Sequence, residues 1–136
     1  MQKYFKISTF YLILGLILGV FYREYTKLNN FTGVTNLSAT HTHVLILGFM
    51  FFIIVLLLEK NFNISSIKGF KSWLITYNVS FIYFIITLVF RGILQVNNNN
   101  FVGLSHIAGL AHVILGISLC WFATIVNKAL KNYDNK

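Results

Sequence analysis

Apolar residues fill four long runs along the chain, and short polar segments separate them. The runs cover about 7–22, 39–58, 73–90 and 103–126, close to the roughly 20 apolar residues that cross a bilayer. None shows the strict alternation of a barrel strand. Helices are then the remaining way to pair every backbone group in hydrocarbon. Proline is absent and glycine is modest at nine, so no run carries an obvious break. The pattern predicts an all-α fold, a transmembrane four-helix bundle forming one domain over residues 1–136.

Composition points the same way. Of 136 residues, 57% are hydrophobic and 10% charged, more apolar surface than a soluble domain of this length buries. Eleven bases against three acids give a formal charge of +8. Lys3, Lys6, Lys60, Lys68, Lys71, Lys128, Lys131 and Lys136 fall at one end of the runs, and Arg23, Lys27 and Arg91 at the other. This bias places both termini and the 59–71 loop in the cytoplasm, and the 28–40 segment and the asparagine-rich 97–100 loop outside. Bases so placed suit orientation and anionic lipid, not nucleic acid. The expected location is a bacterial cell membrane, crossed several times.

Several chemistries drop out. The first run is followed by no small-residue cleavage pattern and reads as a retained helix. Cys120, the sole cysteine, excludes an intrachain disulfide and a cysteine-based zinc motif. Glu24, Glu59 and Asp134 lie at or beyond the run ends, and no nucleophile–base pair or phosphate loop occurs. Hydrolysis is therefore not expected, and no catalytic residue is assigned. Gly15 and Gly19 form a GxxxG that suits a close helix contact. Tyr77, Asn78, Ser80, Tyr83 and Thr87 make the third run the most polar in its centre, and such groups face other helices.

Four histidines occupy two places: His41 and His43 open the second run, and His106 and His112 lie in the fourth. Ionisable groups inside a membrane are costly and usually functional. Counted from the cytoplasmic ends of their runs, His43 and His112 differ by only about 1.5 Å in depth, and all four lie within about 9 Å. At about 100° per residue, His41 and His43 diverge by about 160°, and His106 and His112 by about 120°. Neither pair chelates one ion from a regular helix. Single ligands from facing helices fit better, as in a heme iron held by one imidazole on each side. Gly109 and Gly116 share the face of His112, and Gly48 nearly eclipses His41, leaving room for a flat macrocycle. Arg91 and Arg23 stand at the outer level, where heme propionates need partners.

The segment His41-Thr42-His43-Val44-Leu45-Ile46-Leu47-Gly48-Phe49 resembles the second helix of heme–copper oxidase catalytic subunits, in the branch that includes nitric-oxide reductases. That resemblance covers about ten residues and implies His41 as a low-spin heme ligand. The chain as a whole resembles a family of small four-span bacterial membrane proteins, with His-x-His opening helix two and Gly-x-x-His in helix four. The paired-histidine copper motif of the oxidases is missing, which speaks against oxygen reduction by one chain. The depth count favours His43 with His112, the resemblance favours His41, and His41 with His106 is a third pairing. All three stay open at this point. The threefold arrangement of oxidase helices implies a homo-oligomer, with a trimer as one form.

The sequence thus leads to a heme b protein for electron transfer or for binding nitric oxide or oxygen, with a redox partner not specified. Copper bound by the outer histidines is the alternative cofactor. A packing subunit of a membrane complex is the alternative of another class.

Overall fold

In a computed structural model, which describes residues 1–99, 101 and 103–135, four long helices carry the chain back and forth. Asn100 and Lys136, counted above in the outer loop and in the charge bias, lie outside the described residues. The helices are α1 (Gln2–Leu28), α2 (Leu37–Phe62), α3 (Phe70–Val96) and α4 (Leu104–Asp134), each long and apolar enough to cross a membrane. The described residues contain no strand. The protein is a multi-pass, all-helical membrane protein.

Each helix outruns its apolar window. Hydropathy marks where hydrocarbon begins, whereas a helix continues until a residue leaves the helical backbone. Asparagines do this three times. Asn30, Asn63 and Asn98 adopt positive φ of 49°, 48° and 54°, in the left-handed region that asparagine tolerates better than most residues. A single 3₁₀ turn, Ile64–Ser66, follows α2. Glu59 closes that corner by accepting from the backbone N–H and hydroxyl of Ser65 at 2.8 and 2.6 Å.

Neighbours in sequence are neighbours in space. α1 packs along α2, α3 packs along α4, and α2 meets α3 between the pairs. At the end carrying both termini, Tyr4 meets Phe70 edge-on and Phe62 meets Tyr133. At the opposite end the link between α1 and α2 is tied onto α3. There the Thr35 hydroxyl donates to the Gly92 carbonyl at 2.9 Å, and the Asn36 N–H donates to Gln95 Oε1 at 2.7 Å.

Lipid supplies no hydrophobic drive between helices, so close contact and internal hydrogen bonds must hold them together. Both are present. Gly15 and Gly19 face α2: a Cβ on Gly15 would lie 2.8 Å from Leu45, and one on Gly19 would meet His41 at 3.7 Å. The GxxxG therefore lies in a seam within the chain. Gly48 faces back at α1, where its missing Cβ leaves space that Tyr11 takes up, 2.6 Å away. Tyr11 in turn donates to Asn78 Oδ1 on α3 at 2.8 Å. The polar centre of α3 points mostly inward, with Tyr77, Ser80 and Thr87 buried.

One stretch departs from a regular helix. Val44–Met50, in the middle of α2, is π-helical. A π turn carries one residue more than an α turn. The insertion has no sequence signature, and nothing in the apolar pattern announces it.

The two kinds of glycine separate experimentally. Gly48→Ala should destabilise the detergent-solubilised protein by about 1–3 kcal/mol, because the added methyl would overlap the Tyr11 side chain. Gly116→Ala, with open space around it, should be neutral or stabilising by up to about 1 kcal/mol from helix propensity. Thermal unfolding of the two variants against the parent checks both signs.

Candidate functional site

The inner halves of α2 and α4 touch, with Phe51 and Phe122 at 5.1 Å. Trp73 and Tyr77 of α3 complete this aromatic plug, stacking on Phe122 at 4.5 Å and on Phe51 at 4.7 Å respectively. Farther out, α2 makes little or no backbone contact with α4. There both helices still pack on α3. Phe84 of α3 is buried at this level.

His43 on α2 and His112 on α4 both meet Phe84. Their ring centroids lie 5.5 and 4.7 Å from the phenyl, the His112 ring edge-on at 86°. The depth count paired these two residues from opposite ends of the sequence, and the structure gives them a common neighbour. His43 is half-buried and His112 is exposed on the membrane-facing side.

Both rings are held by the same device. Nδ1 of His43 lies 2.7 Å from the Ala39 carbonyl, and Nδ1 of His112 lies 2.7 Å from the Ala108 carbonyl. A carbonyl only accepts, so Nδ1 carries the hydrogen in each neutral ring. That assigns the lone pair to Nε2. Neither Nε2 has a hydrogen-bond partner among the described residues. A backbone carbonyl fixing one ring nitrogen while the other stays free is the usual support of a metal-ligating histidine.

The surroundings limit what such a pair can hold. Among the described residues, no group of three His, Cys, Asp or Glu side chains gathers as a metal site. Two imidazoles fall short of a closed four-ligand protein site. They match an ion whose other ligands come from a planar macrocycle. Open space is found at each of the two helices. A cavity of about 260 Å³ runs along Thr42, His43, Ile46 and Leu47. Gly109 and Gly116, one turn either side of His112, have nothing within 4 Å of where a Cβ would stand.

The remaining predicted residues are dispersed. His41 points to the other side of α2, into the seam with α1. Its ring stacks on Tyr22 at 6.4 Å and 12°, and its Nδ1 is buried without a hydrogen-bond partner. The wide angle between His41 and His43 is realised as two different interfaces. His106 is exposed on α4, and no contact joins it to His41. Gly48 lies against Tyr11 and lines no slot. This is a correction to the space expected beside His41: the glycine serves the approach of α1. Arg23 is 80% exposed and lies 3.7 Å from Glu24. Arg91 lines a cleft of about 490 Å³ at the outer end, together with Leu94, Gln95, Leu104 and Ser105. It is seven residues beyond Phe84, on the same stripe of α3 and about 10 Å farther out.

Sequence reasoning missed Phe84. Its place seven residues before Arg91 was a readable signal, since residues seven apart share a helix face. It also missed Tyr77 as a partner of α2. The Tyr77 hydroxyl donates to the Leu47 carbonyl at 2.7 Å, and no residue pattern reveals a tie to backbone.

Comparison with known proteins adds a family and no function. No curated protein and no solved structure matches the chain significantly. A family model described as "Protein of unknown function (DUF2871)" matches residues 1–129, so the four helices and both histidine pairs belong to a member of the DUF2871 family.

Proposed function

We propose that this protein binds a b-type heme in the outer-half groove, with His43 and His112 as axial ligands. The observation that carries the reading is the matched pair of rings. Two separate helices present imidazoles to one phenylalanine, each fixed through Nδ1 and each with no hydrogen bond at Nε2. A heme held there would supply one-electron redox chemistry or small-gas binding.

The chain's own residues do the rest. Ala39 and Ala108 hold the rings in one tautomer. Phe84 supports both imidazoles from the floor of the groove. Gly109 and Gly116 leave the wall beside His112 flat. Arg91 offers a guanidinium on the same stripe, at a level suited to carboxylates carried by the cofactor. The aromatic plug at Phe51 and Phe122 closes the groove toward the cytoplasmic end. The orientation set by the basic residues makes this an outward-facing site in a cell membrane.

A homo-oligomer belongs to the same proposal. His112 stands exposed among Leu110, Val113 and Ile117. A second copy of the chain covering this face would keep the edge of the site from lipid.

Protein purified from heme-sufficient cells should show a Soret band. His43→Ala and His112→Ala should each abolish it, while His41→Ala and His106→Ala retain it. A colourless folded protein would overturn the reading, and stoichiometric copper in metal analysis would replace it with the copper alternative. Arg91→Gln should weaken hemin binding about tenfold, in line with the roughly 1.5 kcal/mol of a charge-assisted hydrogen bond. Arg23→Gln should leave it unchanged. Hemin titration of the apo-protein reads both.

A further inference from the structure

The direction of His43 depends on a backbone irregularity seven residues long on its cytoplasmic side, and that irregularity has its own support. In a regular helix the Phe51 N–H bonds to the Leu47 carbonyl, four residues back. Here it goes to Ile46 and Gly48 instead. The Leu47 carbonyl loses its ordinary donor at a depth where water cannot replace it. Tyr77 supplies one from α3, its hydroxyl 2.7 Å away and its ring fully buried. Ser8 of α1 adds a second tie, donating to the Phe49 carbonyl at 2.9 Å.

The extra residue of the π segment sets the phase of everything before it. If Val44–Met50 relaxed to regular α-helix with all its residues kept, the turn carrying His43 would rotate by about 100° relative to the inner half of α2. His43 would leave Phe84 and the groove. We infer that Tyr77 is a positioning residue: its hydroxyl holds α2 in π register and thereby aims His43 at the groove shared with His112. The claim concerns the direction of one side chain, and its test reads no cofactor.

The experiment uses the full chain with Cys120→Ser, so that the only thiols are those introduced. Cysteine is placed at 42, 43 or 44 on α2 and at 112 on α4, and a short bifunctional thiol reagent reports which position faces α4. In the parent background, position 43 should cross-link best. Tyr77→Phe removes the hydroxyl alone, and should lower the 43–112 product several-fold while raising that from 42 or 44.

Deleting Ile46 removes the extra residue. The helix becomes regular with both flanks in place, and the demand for the hydroxyl disappears. In that background position 43 should remain the best, with or without Tyr77→Phe. Unchanged cross-linking in Tyr77→Phe with Ile46 present would overturn the proposal, as would an equal loss in both backgrounds. If Tyr77→Phe fails to fold only when Ile46 is present, the proposal stands. If it fails in both, Tyr77 is a general packing residue and the proposal falls. Loss of the heme reading leaves all these outcomes as they are.

Discussion

Inside a bilayer a backbone carbonyl has no water to turn to, and each one left unpaired costs several kcal/mol. That constraint produces the helices, and it also determines where they deviate. At Val44–Met50 the ladder is disturbed and carbonyls become available. The structure meets them with side chains from two different helices, Tyr77 and Ser8. The deviation is tolerated because it is buried within the protein and is not presented to lipid. Hydrogen bonding therefore links the π segment to its neighbours and makes α2 dependent on α1 and α3 for its shape.

The same acceptor governs the candidate site. Ala39 and Ala108 each use a helix carbonyl to bind a histidine Nδ1 four residues on. A carbonyl already in a helix ladder has a second lone pair, so the bond costs the helix little. What it achieves is selection. Each ring is held through Nδ1, in one tautomer when neutral, with Nε2 left without a hydrogen bond. A lone membrane histidine needs only one such bond to be satisfied. Two that adopt the same bond, on separate helices, against the same phenylalanine, leave the same atom free twice.

How far the sequence anticipated this differs by level. The four spans were legible because hydrocarbon thickness converts directly into run length. The helix ends were not, since asparagine ends a helix through backbone conformation and not through hydropathy. The depth count set His43 beside His112, and the structure gives the two rings Phe84 as a shared neighbour. Rotation was legible only in part. The divergence of His41 from His43 followed from helix geometry, but which of them faces α4 depends on how α1 lies against α2. Gly48 shows the limit well. A missing side chain creates space, and only the neighbouring helix decides what enters it. Tyr11 enters there, while Gly109 and Gly116 face nothing.

That asymmetry between the walls bears on how the groove works. On the α2 side, His43 sits between a packed seam with α1 and the plug below it, and its backbone is set by ties to α1 and α3. On the α4 side, His112 stands on an exposed face with bare glycines beside it, and α4 contacts chiefly α3. One imidazole is thus fixed by three helices and the other essentially by one. If a cofactor occupies the groove, the better-fixed imidazole defines its position and the freer one adapts. Of the two rings, His112 is then the one freer to move. The local stability of a segment follows the contacts that hold it, and elements with few such contacts open first.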